Sequence, residues 1–112
     1  MHQLKFANQY VEGVQNGDKY ITLRPRKAVD MMFAPDTAVE LVDGDDIPFG
    51  VAVIGKRTHL TVRRAAEVTW HGHENYQSAQ EVISALDEHY PELEMTSRTE
   101  LLAYWFEYTG EP

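Results

Sequence analysis

The spacing of apolar residues divides the chain into a short series of helices and strands. Phe6, Tyr10 and Val14 follow one another at intervals of four, which predicts a helix over residues 4–16 that ends at Gly17. Alternating or β-branched-rich runs predict strands over residues 19–24, 37–42 and 49–61, with a bend or bulge at Gly50 or Gly55. Residues 101–108 are almost continuously apolar, which is typical of a strand buried on both faces.

The remaining segments predict two further helices and two loops. Ser78 with Glu81 three residues later is a capping box, so a helix is expected from there to near Tyr90, where Pro91 disfavours its continuation. Residues 63–69 predict a short helical turn, and residues 25–35 and 70–76 predict mainly irregular structure. This order favours an α+β fold, with mostly antiparallel strands in a curled sheet or barrel and two or three flanking helices. The length predicts a single domain, residues 1–112.

Charge modifies this picture, because the cationic residues are clustered in an acidic chain. The net charge of −8 argues against a protein that coats nucleic acid. Eight of the ten Lys and Arg residues nevertheless fall in two short segments, residues 19–27 and 56–64. If these segments are neighbours they form one basic cleft, and otherwise they are solvated strand ends. Without cysteine, a long apolar run or a signal-peptide core, the chain is expected to be cytoplasmic and to have no membrane partner.

The segment that follows Gly17 concentrates reactive side chains on a predicted strand. Regular alternation places Ile21 and Leu23 towards the core and Thr22 and Arg24 on the opposite face. Lys19 is three residues before Thr22, and residues three apart on a regular strand point to opposite faces. Lys19 can therefore approach Thr22 only from a turn that precedes the strand, or across a bulge. Outside a catalytic site, the same residues are an ordinary β-former and a solvated edge lysine.

Several short motifs, in this order, resemble the ASCH domain, a PUA-like β-barrel associated with RNA and modified nucleosides. They are Gly17-Asp18-Lys19, Thr22-x-Arg24, Glu74-Asn75-Tyr76, Tyr90-Pro91 and Trp105-Phe106-Glu107. The resemblance extends over residues 4–108 and implies the PUA-like barrel for the whole domain.

Within this family the chain is similar to the small N(4)-acetylcytidine amidohydrolases. The resemblance implies a catalytic trio in which Thr22 is the nucleophile, Lys19 its base and Glu74 a general acid/base, without a cofactor. Arg24 matches the arginine that these enzymes carry two residues after the threonine. Tyr20 departs from the pattern, since those enzymes tend to have threonine there.

The expected substrate-binding residues surround the trio in the sequence. Arg24 and Tyr20 belong to the strand, and Trp70, Asn75 and Tyr76 belong to the loop that carries Glu74. Trp70 and Tyr76 are able to stack on a nucleobase, although aromatic residues of a loop often pack into the core instead. The expected partner is a small nucleoside or RNA.

Two other functions compete with amide hydrolysis. A non-catalytic module would bind RNA or a modified base through Arg26, Lys27, Arg63 and Arg64. A ribonuclease would use Lys19 with His71 or His73 as acid and base. The His71-Gly72-His73-Glu74 run contains metal-ligand types, but no second ligand pair accompanies it, so no metal is expected.

Overall fold

One five-stranded sheet organises the computed structural model, which describes residues 1–111. The strands are β1 (Gln3–Lys5), β2 (Ile21–Pro25), β3 (Ala38–Val42), β4 (Pro48–Thr61) and β5 (Glu100–Gly110), in the spatial order β1-β3-β4-β5-β2. The helices are α1 (Asn8–Gln15), α2 (Val62–Glu67) and α3 (Ala79–Asp87), with a 3-10 turn at Arg26–Ala28. Strand β1 pairs with β3 in parallel and the other pairs are antiparallel. The predicted α+β class is confirmed.

The register of β2 on β5 assigns the side chains of β2 to two different cores. Thr22 lies opposite Tyr104, whose ring belongs to the core enclosed by the sheet, β1 and α1. Leu23 lies opposite Ala103, and both belong to the core under α2 and α3. Because opposed residues of an antiparallel pair share a face, Thr22 is directed to the first core and its apolar neighbours to the second. The predicted faces of this strand are therefore confirmed.

The two edges of the sheet approach each other, as they do in a barrel that is left partly open. Arg24 on edge strand β2 donates a hydrogen bond from Nη2 to the backbone oxygen of Lys5 on edge strand β1, at 2.6 Å. Its guanidinium also lies 5.5 Å from the centre of the Phe6 ring. The sheet curls enough to allow this contact because β4 is long and its register on β5 shifts between Ile54 and Lys56, around the predicted bend at Gly55.

The start of the chain was predicted incorrectly. Residues 4–7 are not helical, since Leu4 is in β1 and Phe6 donates its backbone N–H to Val42 at 2.9 Å, which extends the contact with β3. Phe6 has helical spacing from Tyr10 and Val14 because it enters the same core from the segment after β1, while Tyr10 and Val14 enter it from α1. Helix α1 begins only at Asn8, and α3 ends at Asp87, before the predicted limit near Tyr90. Within residues 1–111, no helix is long and apolar enough to cross a bilayer.

Candidate active site

A cavity of about 490 Å³ opens where the start of β2 meets α1, the 70–76 loop and the end of α3. Small-molecule sites commonly enclose ~300–1,000 Å³, so this space accommodates a nucleoside-sized ligand. Six of the side chains that line it carry the argument below: Tyr10, Lys19, Thr22, Arg24, Glu74 and Tyr76. The cavity therefore contains all three members of the expected catalytic trio.

Lys19 enters the cavity from a turn and not from the strand. Gly17 has a positive φ of 87°, and the backbone N–H of Lys19 then bonds to Gly13 of α1 at 2.9 Å. Strand β2 begins only at Ile21, so strand alternation does not determine where Lys19 points. Its side chain is only 12% exposed. Burial lowers the pKa of the Lys19 ammonium, the Glu74 carboxylate opposes this effect, and the charge of Arg24 adds to it.

Glu74 is brought to Lys19 by a loop that is bonded to the start of β2. The backbone oxygen of Gly72 accepts hydrogen bonds from the N–H groups of Tyr20 and Ile21, at 3.0 and 3.2 Å. Two residues later, Glu74 Oε2 lies 3.4 Å from Lys19 Nζ. Burial acts to raise the pKa of Glu74, but the Lys19 ammonium and hydrogen bonding outweigh burial, so the net shift is downward. Glu74 is therefore a carboxylate at neutral pH.

Thr22 and Arg24 form the floor of the cavity. Thr22 is buried, and its Oγ1 accepts a hydrogen bond from Arg24 Nε at 3.3 Å. Within residues 1–111, Thr22 Oγ1 makes no hydrogen bond to Lys19, and the hydroxyl proton stays available for another acceptor. A nearby cation stabilises the deprotonated form of a hydroxyl, so Arg24 favours loss of the Thr22 hydroxyl proton.

Aromatic rings form the walls. Lys19 Nζ lies 4.8 Å from the centre of the Tyr10 ring, and Tyr76 lines the cavity beside Glu74. Burial, followed by the Glu74 carboxylate, raises the pKa of Tyr76, and burial likewise raises that of Tyr10. Both phenols therefore remain protonated donors at neutral pH. Tyr10 was missed in the sequence because its spacing from Phe6 and Val14 indicated a core position only.

Three of the expected substrate-binding residues do not line this cavity. Trp70 is buried in the core under α2, where its indole N–H donates to Ala65 at 2.9 Å. The Asn75 side chain binds the backbone of Trp70 through both amide atoms, at 2.5 and 3.1 Å, and so closes the loop. Tyr20 packs its ring over Gly72 on the outer side of the loop. These residues build the loop that carries Glu74, while Arg24 and Tyr76 do reach the cavity.

The basic residues expected to bind RNA also lie outside the cavity. Arg63 and Arg64 on α2 both pair with Glu67, at 3.3 and 3.4 Å. Arg26 donates to the backbone oxygen of Val29 within its own turn, and Lys27 is exposed. In the part of the chain that the structure describes, no group of three His, Asp or Glu side chains is arranged to hold a metal ion.

Comparison with known proteins supports the fold. No protein-family model and no curated protein matches the sequence. An Enterococcus faecalis protein of family DUF984 superimposes with a TM-score of 0.74 at 16% identity, over 92% of this chain and 71% of the other. An ASCH domain from Lactobacillus crispatus superimposes with a TM-score of 0.64 at 12% identity, over 93% of this chain and 72% of the other. A point mutant of ZmASCH from Zymomonas mobilis superimposes with a TM-score of 0.64 at 12% identity, over 98% of this chain and 70% of the other. The chain therefore has an ASCH-like fold.

Proposed function

We propose that this protein is an amidohydrolase that removes the acyl group from an acylated nucleoside of the N(4)-acetylcytidine type. The observation that carries the proposal is the convergence of Lys19, Thr22 and Glu74 on one cavity, with Lys19 and Glu74 3.4 Å apart. These are the three side chains that the resemblance to the small amidohydrolases implies. Aromatic walls beside them suit a planar base, which stacks on such rings.

In the first half of the proposed reaction, Thr22 attacks the acyl carbonyl. Neutral Lys19 takes the hydroxyl proton as Oγ1 bonds to the carbonyl carbon, and burial favours this neutral form. The guanidinium of Arg24, already bonded to Oγ1, lies beside the carbonyl oxygen as it becomes negative. The carbon–nitrogen bond then breaks, and the Lys19–Glu74 pair returns a proton to the departing amine. The products are the free nucleoside and a Thr22 ester.

In the second half, water hydrolyses the ester. Glu74 takes a proton from the attacking water and passes it through Lys19 to the Thr22 oxygen as the ester bond breaks and the acid leaves. Both halves use the same three side chains, as expected when a base of the first step acts as the acid of the second. In the free protein Lys19 and Thr22 are not bonded, and catalytic hydrogen bonds of this kind often form only with bound substrate.

The test is the release of cytidine and acetate from N(4)-acetylcytidine by the purified protein. Thr22→Ala and Lys19→Met are expected to lower kcat by at least ~100-fold, the usual scale for a nucleophile or a general base. Lys19→Arg is expected to be equally inactive, because arginine keeps the charge but does not deprotonate. Lys56→Met, which removes an exposed lysine on β4, is the matched control and is expected to retain activity.

Three results would contradict the proposal. Full activity in Thr22→Ala and Lys19→Met would show that Thr22 is not the nucleophile and that Lys19 is not its base. Salt-sensitive RNA binding without turnover, weakened by loss of Arg63 and Arg64, would favour the binding module. Cleavage of unmodified RNA that is abolished by His73→Ala would favour a ribonuclease.

A further inference from the structure

A buried histidine beside Glu74 has no role in the proposed mechanism. His73 is only 6% exposed, and its Nδ1 lies 3.1 Å from Glu74 Oε2 and 3.0 Å from the backbone oxygen of Glu74. Its ring is held between Trp70 and Tyr76, with centroid distances of 6.1 and 5.9 Å. A side chain enclosed in this way has little freedom, so its contact with Glu74 is fixed by packing.

The two oxygens around Nδ1 determine where the imidazole proton lies. A backbone carbonyl only accepts hydrogen bonds, and so does an ionised carboxylate. Nδ1 must therefore be the protonated nitrogen. Burial lowers the pKa of His73, and the charge of Lys19 lowers it further, so the ring is neutral at neutral pH and Nε2 carries no proton.

The consequence for Glu74 is that one of its carboxylate oxygens lies between two nitrogens that carry protons. Oε2 accepts a hydrogen bond from Lys19 Nζ at 3.4 Å and lies 3.1 Å from His73 Nδ1, whose N–H donates to the backbone oxygen of Glu74. Glu74 is otherwise half-exposed and would be free to rotate away from the cavity. We propose that His73, with its proton on Nδ1, is a positioning residue: it fixes the backbone oxygen of Glu74 and places its N–H beside Oε2, so that Oε2 stays against Lys19 and Oε1 is left for the substrate or water. Its effect on turnover rests on the proposed amidohydrolase function.

Glu74 is also surrounded by other titratable groups, which any pH test must take into account. Lys19 faces it from the turn before β2, Tyr10 from α1, and Tyr76 from its own loop. The same cavity is lined by five more such groups, Lys5, Arg24, Glu88, His89 and Tyr90. A single substitution at His73 leaves all of these groups in place, so a change in the protonation of Glu74 can be attributed to the lost Nδ1–H.

The test compares two substitutions of different hydrogen-bonding ability. His73→Phe keeps a planar ring but loses the donor, and is expected to lower kcat ~10-fold or more with a smaller change in KM, since the N–H that fixes the Glu74 backbone and lies beside its carboxylate is lost. The acid limb of the pH–rate profile should move to higher pH, because loss of the donor destabilises the carboxylate. His73→Asn can place an N–H near the Nδ1 position and is expected to recover most of the activity.

His59→Phe is the matched control, because it removes another histidine–glutamate contact. His59 Nδ1 lies 2.6 Å from Glu100 Oε1 at the surface, and neither residue lines the cavity that holds the trio. This variant is expected to leave kcat and the acid limb unchanged. If His73→Phe retains wild-type kcat and an unshifted acid limb in an active enzyme, the positioning role is wrong.

A spectroscopic measurement separates this proposal from the proposed function. Long-range ¹H–¹⁵N spectra of the imidazoles should show the His73 proton on Nδ1, and ¹³C spectra should show a higher pKa for the Glu74 carboxyl in His73→Phe than in wild type. If the protein hydrolyses no acylated nucleoside but both signatures are present, the amidohydrolase proposal fails and the contact stands. A proton on Nε2, or an unchanged Glu74 pKa in His73→Phe, would overturn the positioning role.

Discussion

Gly72→Ala tests how the loop that carries Glu74 is attached to β2. Gly72 has a positive φ of 82°, and a β-carbon built there would overlap the ring of Tyr20. Alanine in the left-handed region costs ~1–2 kcal/mol. Overpacking of the new methyl group against the Tyr20 ring costs ~1–3 kcal/mol. A value in the lower half of this range is expected, because Tyr20 is 37% exposed and its ring can move. The expected loss in the free energy of unfolding is therefore about 2–4 kcal/mol.

Urea denaturation followed by fluorescence measures this loss. With an m-value of about 1.5 kcal/mol/M, the midpoint should fall by about 2 M. A double-mutant cycle separates the two causes, because in a Tyr20→Ala background only the backbone strain remains and the cost of Gly72→Ala should fall by about 1 kcal/mol. Turnover should also decrease, because the displaced loop moves Glu74 away from Lys19.

Gly55→Ala is the control for the general effect of adding a methyl group. Gly55 lies on β4, its φ is not in the left-handed region, and the nearest atom to a built β-carbon is the backbone oxygen of Trp105 at 3.8 Å. This substitution is expected to change stability by less than ~1 kcal/mol. A loss below about 0.5 kcal/mol for Gly72→Ala, or an equal loss with and without Tyr20, would refute the reasoning about strain and packing.

Two further predictions concern the charged residues of the cavity. Arg24→Met should lower the free energy of unfolding by about 2 kcal/mol in urea denaturation, because it removes the charged hydrogen bond from β2 to Lys5 at 2.6 Å; a loss below about 0.5 kcal/mol would contradict a closing role for this contact. The folded-state pKa of Glu74 lies below its ordinary value of 4.5, so its contribution to stability is present above that pH and is lost as the pH falls through the folded pKa. Wild type should therefore lose more stability than Glu74→Gln when denaturation is repeated below pH 4.5, and equal losses would contradict the Lys19–Glu74 interaction.

Much of the fold was predictable because its strands have strong local signals. The long apolar run of β5 and the alternation in β2 and β3 each specify a strand without reference to the rest of the chain. Strand β1 was not predictable, because it has three residues and forms only by pairing in parallel with β3, a contact distant in sequence. The helical spacing of Phe6 from Tyr10 then extended the predicted helix into this strand.

The members of the site were less predictable than the elements that carry them. Lys19, Thr22 and Glu74 were identified through the family resemblance, and the turn at Gly17 was the only local signal that Lys19 precedes the strand. The hydrogen bonds of Gly72 that bring Glu74 to Lys19 connect backbones more than fifty residues apart along the chain, and no local pattern encodes them. Trp70 and Asn75 were expected to contact substrate because loop aromatics and amides have no periodicity that separates packing from recognition.

The charge of the cavity explains why an acidic protein can still favour this chemistry. The chain carries a net charge of −8, yet the lining of the cavity contains three cations, Lys5, Lys19 and Arg24, for two carboxylates, Glu74 and Glu88. Burial, with a smaller contribution from the charge of Arg24, lowers the pKa of Lys19, and the local excess of positive charge favours negative charge developing on a substrate oxygen. Arg63 and Arg64, in contrast, are paired with Glu67 at the surface, so their clustering in sequence does not create a second concentrated positive field. Charge clustering therefore gives more support to a small enclosed substrate at Lys19 than to an extended polyanion along α2.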